Sequence, residues 1–287
     1  MVSSASTELA HDIVGVWDVN QQDTRLGSVF LFIHELNCAL DMPGKIVLLN
    51  TNEKHQALIS LFRRFSKHHI EVSDNPYAGL QTTQLLHNQI AESRTSRTGS
   101  MRYLDSLFTQ GRRINPLASP AYPLKKSAKD TVIAVHLKHH LTDTQSNANQ
   151  ACWYAAVSNL VALFDDVQFV LIGDDVIELP FTELPRVSRI QGSVADYFAV
   201  VCAADAFAGM SSAFCAAALV GDKPYRVWKH IGHHTEIMAS ELNQHQQFPF
   251  ALDNQRMLIA WDETDLIVSE ISAMLTTMQS LRAKQGA

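Results

Sequence analysis

The stretch "ADAFAGMSSAFCAAALVGDKPYRVW" (204–228) decides how the second half of this chain folds. It opens on the apolar pentad AFAGM, short enough for a buried strand. A small-residue turn, Gly209, Met210, Ser211 and Ser212, overlaps the end of this pentad and runs into an alanine-rich segment that favours a helix. That segment stops at Gly221, the chain restarts at Pro224, and YRVWK (225–229) reads as another strand. Strand, turn, helix and strand over so few residues imply parallel strands joined by a right-handed crossover. The small residues of the turn admit two readings. They let the helix pack tightly, with Ser211 or Ser212 as a plain N-cap. Equally, they let a phosphate approach the first N–H groups of the helix, which lack intrahelical partners and carry the positive end of its dipole. The turn matches neither the GxGxxG nor the P-loop pattern.

The same alternation extends outward. Upstream, TVIAVHLK (131–138) is a strand, and a polar loop leads to a helix with Trp153, Ala156, Val157, Leu160, Val161 and Phe164 on one face. VQFVLIGDD (167–175) is a buried strand ending in glycine and acids, and 187–190 is a weaker one. Ser193 opens a helix over 194–203, with Asp196 three residues on as in a capping box. Downstream, 262–284 predicts a long terminal helix with an acidic start and a basic end, matching the helix dipole.

In the first half, IVGVWDV (13–19), KIVLLN (45–50) and HIEVSD (69–74) read as strands, with helices over 29–40 and 55–66 between them. Helices are also expected in GLQTTQLLHNQIAES and MRYLDSLFTQG. NPLASPAYPLKKSAKD, with three of the nine prolines, reads as a linker. The expected fold is α/β, with two tandem Rossmann-like doubly wound domains, 1–124 and 125–287, and a cleft between them. Ligands of open parallel sheets collect at the carboxyl ends of strands, so the residues just after each strand are the candidates.

The 287 residues are 46% hydrophobic, enough for two ordinary cores. The net charge of -6, from 29 acids against 23 bases, shows no clustered basic excess and argues against nucleic acid. Cys38, Cys152, Cys202 and Cys215 form no CxxC pair and read as free thiols of a cytoplasmic protein. Residues 1–12 lack the regions of a signal peptide, and no apolar run reaches the roughly 20 residues of a membrane span. His136, His139 and His140, and again His230, His233 and His234, have no acidic partners at ligand spacing, so no metal is expected.

The order of segments over 131–228 resembles the carboxyl-terminal half of GT-B fold glycosyltransferases, in particular the heptosyltransferase-like family 9. The first half is similar only in topology and in a loop after its first strand. The histidine that family members carry after the turn has no counterpart after GMSS, which leaves nucleobase and sugar open. The resemblance implies a hexosyl- or heptosyltransferase that moves a sugar from a nucleoside-diphosphate donor to a carbohydrate or lipid-linked acceptor. The displacement would be direct, inverting and metal-independent, with the nucleotide sugar as substrate and no other cofactor. Lipopolysaccharide biosynthesis, with peripheral contact at the inner face of the membrane, is the implied setting.

The resemblance sets the diphosphate at a helix start that follows an AD…G…S/T element, here Asp205, Gly209, Ser211 and Ser212, and the main chain around Met210 is expected to offer it bare amides. Lys138, near the cleft, offsets diphosphate charge or is a solvated strand-end lysine. His136 joins it or is a satisfied core histidine. Asp174 binds ribose hydroxyls or makes an Asx-turn. Asp23, in the loop that faces the acceptor in the resembled family, is the candidate base, with Asp18 its rival. Arg25 holds an anionic acceptor or phosphate, or forms a salt bridge or cap with Asp23 within the loop. Rival functions on the same architecture are a sugar-nucleotide epimerase or hydrolase, and a non-catalytic GT-B-like binding subunit.

Overall fold

A computed structural model describes residues 13–20, 25–39, 43–75, 122–125, 127, 130–221, 223–233 and 235–285. The chain divides into two compact units, Met1–Tyr103 and Leu104–Ala287. Residues 104–121, between this division and the expected boundary at 124/125, lie outside the described residues, as do the two helices expected over 79–111.

In the first unit, β1 (Ile13–Asp18), β2 (Lys45–Leu49) and β3 (His69–Ser73) form a parallel sheet in the order β1-β2-β3. The crossovers are α1 (Leu26–Ala39) and α2 (Gln56–Phe65), which pack together. Their shared core is aromatic. Trp17 meets Phe32 and Phe62 edge-on at 4.9 and 5.8 Å, and Phe30 meets Phe65 at 5.0 Å. Such edge-to-face pairs add to the burial of large apolar rings.

The second unit is built on β4 (Thr131–His136), β5 (Val167–Ile172), β6 (Val187–Arg189), β7 (Ala206–Met210), β8 (Tyr225–Lys229) and β9 (Gln255–Ile259). All pair in parallel, in the order β6-β5-β4-β7-β8-β9. This is the strand order of a doubly wound dinucleotide fold. The helices are α3 (Gln150–Leu163), α4 (Val194–Ala203), α5 (Cys215–Val220), α6 (Thr235–Glu241) and α7 (Thr264–Gln285). Ile133, Val135 and Leu137 on one face join Trp153 of α3 and Ile267, Ile271 and Met274 of α7 in a single core. On the other face α4 and α5 pack side by side, with Phe198 and Phe214 at 5.1 Å. The two parallel α/β sheets match the expected fold class. Among the described residues no helix is long and apolar enough to cross a membrane.

Candidate functional site

The chain runs from β4 outward to β5 and β6, then returns to the far side of β4 as β7. The switch point therefore lies between β4 and β7, and open α/β sheets bind ligands outside the carboxyl ends of the strands there. The last residue of β4, His136, stands opposite Gly209 of β7. Lys138 follows β4 by two residues, Ser211 and Ser212 follow β7, and Asp174 and Asp175 follow the neighbouring β5. The topology thus places most of the second-unit candidates at one end of one sheet.

Gly209 answers part of why the backbone is bare. Its φ is +139°, and a Cβ there would lie 2.2 Å from the carbonyl oxygen of His136. Only glycine allows β4 and β7 to pair this closely. Neither Ser211 nor Ser212 is the N-cap expected: the helix begins at Cys215, with Phe214 in the capping position and no side-chain cap. The cause is the sheet itself: the Ser211 amide donates to the Trp228 carbonyl at 2.8 Å, carrying strand pairing one residue further. The Ser212 amide donates to Cys215 Sγ at 3.3 Å. These two N–H groups are engaged rather than bare. The Met210 side chain is buried with the α3 and α7 core. Cys215 is sealed in, and burial pushes its thiol up to about 11.

The His136 ring is buried, edge-on to Phe214 at 4.8 Å. Its Nε2 lies 2.8 Å from Asp175 Oδ2, while Nδ1 is buried without a partner. Gly173, with φ +101°, leaves room for this ring: a Cβ would lie 2.8 Å from its Cδ2. The other Asp175 oxygen accepts from the His139 amide at 2.6 Å. Burial pushes the Asp175 carboxyl up, but the bond and charge of His136 and the amide donors outweigh it and hold the carboxyl below its ordinary value. Arg189 fastens the same turn by donating to the carbonyls of Gly173 and Asp175.

Asp174 has a separate partner, accepting from the Tyr197 hydroxyl at 2.5 Å. Burial, and then this bond to Asp174, raise the phenol above its ordinary value. Lys138 Nζ lies 3.5 Å from Asp143 Oδ2 and keeps partial exposure. Among the described residues no cluster of three metal-ligating side chains occurs.

In the first unit, Asp23 lies outside the described residues. Arg25 is exposed and precedes α1. The rival acid Asp18 ends β1 and is buried. Its Oδ1 accepts from the Asn20 amide at 2.9 Å and the Asn50 side chain at 2.7 Å.

One polar centre escaped the sequence reading. His230 and Asp262, past the ends of β8 and β9, meet in the interior at 2.7 Å. The local signal was weak: an acid after the apolar run MLIA, behind a strand that was not expected.

No known family model matches the chain, and no curated protein does. Among solved structures it is similar to the E. coli heptosyltransferase WaaC with ADP-2-deoxy-2-fluoro heptose, at 10% identity and a TM-score of 0.47, covering 92% of this chain and 99% of that one. It is also similar to the iron-containing dodecameric glycosyltransferase TibC from enterotoxigenic E. coli H10407, at 13% identity and 0.44, covering 89% of this chain and 66% of that one. A third is a putative UDP-N-acetylglucosamine 2-epimerase from Listeria monocytogenes, at 11% identity and 0.41, covering 94% and 89%. At these values the likenesses assign neither residue roles nor a substrate to this chain.

Proposed function

We propose that the second unit binds a nucleoside-diphosphate sugar at the carboxyl ends of β4 and β7, and that the chain is a GT-B-type glycosyltransferase. The observation that carries this reading is the strand order. It puts the switch point at the strand ends that bear Lys138, Ser211 and Ser212. In the reaction the acceptor hydroxyl attacks the anomeric carbon, the bond from that carbon to the phosphate oxygen breaks, and the hydroxyl proton passes to a carboxylate. Asp23 is that base, with Asp18 the alternative. Lys138, released from Asp143, and the two serine hydroxyls stabilise the departing diphosphate, so no metal is needed.

A second reading, a binding subunit without turnover, is favoured by one specific observation. The Ser211 and Ser212 amides are already engaged, which weakens the cradle that a leaving diphosphate would use.

Titration of the full chain with ADP, UDP and GDP tests the binding step. Saturable binding to one of them is expected, weakened about tenfold or more by Lys138→Ala, as for a lost charge-assisted bond. Absence of saturable binding to all three refutes both readings. Binding with no transfer product by mass, across a panel of carbohydrate and lipid-linked acceptors, supports the second.

A further inference from the structure

His230 follows β8 directly, and Asp262 lies three residues past β9, the neighbouring strand. Both side chains are buried. His230 Nδ1 is 2.9 Å from the carbonyl oxygen of Gln145, and Nε2 is 2.7 Å from Asp262 Oδ1. A carbonyl only accepts, so Nδ1 carries a hydrogen. Asp262 Oδ2 already accepts from the Asn149 amide at 2.6 Å and from the Trp153 indole at 2.9 Å. The Trp261 ring, half-exposed, lies over the imidazole at 4.6 Å with a tilt of 39°.

We propose that the buried pair of His230 and Asp262 is a positioning device. It clamps the loop over 137–149 to the ends of β8 and β9. Gln145 and Asn149 of that loop bond the two members of the pair, and Trp153 of α3 bonds the same carboxylate. The segment after β8 makes a second tie to the loop through His233 Nε2, 3.0 Å from Asp143 Oδ1. Asp143 in turn holds Lys138. The clamp therefore sets where Lys138 stands when a diphosphate arrives. That consequence rests on the proposed function, whereas the clamp itself does not.

Amide exchange of the full chain tests the clamp. Asp262→Asn keeps the shape and replaces one accepting carboxylate oxygen by an amide group. Exchange over 145–153 should rise about 100-fold or more, as for a broken buried pair. Unchanged exchange in this variant overturns the proposal, because packing alone would then hold the loop. If Asp262→Asn does not fold, His230→Gln takes its place, since a single amide nitrogen cannot stand in for both ring nitrogens, and the same rise is expected. Nucleoside-diphosphate affinity is expected to fall roughly 3- to 10-fold in either variant. If no nucleotide binds the parent while the variant shows the rise in exchange, the donor reading fails and the clamp stands.

Discussion

Gly209 is where backbone geometry and the candidate site coincide. Gly209→Ala has to hold a positive φ and push a Cβ against the His136 carbonyl. We expect it to destabilise the second unit by about 3 kcal/mol or more, read as a lower urea midpoint. The bareness of the turn was visible in the sequence, but its main cause was not. Close approach of a neighbouring strand and close approach of a ligand both call for glycine, and the residues alone do not separate them. A second residue sets a pH limit on the first unit. Burial in α1 lowers His34 from 6.5 to about 4. The unfolded chain takes up its proton first as the pH falls, so stability declines from about pH 6.5 down to about pH 4. The loss is on the order of 3 kcal/mol. Burial lowers His68 of the same unit as well. Denaturant midpoints between pH 4 and 7 check this, and His34→Leu is expected to flatten most of the slope.

At the scale of elements, some local signals were legible in full. The helix expected over 194–203 is Val194–Ala203, and the Ser193–Asp196 capping box is formed, with the Ser193 amide bonding Asp196 at 2.8 Å. Ser193→Ala is expected to cost about 1 kcal/mol, seen in thermal unfolding of the second unit. The strand QRMLI went unread because two of its five residues are polar. The fold satisfies both: Gln255 donates to the carbonyls of Gly221 and Lys223, and Arg256 pairs with Glu270. The helix after β7 starts later than composition suggests because the Trp228 carbonyl claims the Ser211 amide. A long-range strand contact overrode a local capping preference there.

For the molecule as a whole, the alternation of strands and helices was enough to read two parallel sheets. Strand order turned that reading into a location for the site, and order depends on pairings between distant segments. His230 and Asp262 show the same limit, since they meet only because β8 and β9 are neighbours. The central claim is that a nucleoside diphosphate occupies the end of β4 and β7. Hydrogen exchange of the full chain with and without saturating ADP, UDP or GDP tests it most directly. Protection over 137–140 and 209–213, diminished in Lys138→Ala, is the result predicted. Binding that protects other segments and leaves these two unchanged would contradict it.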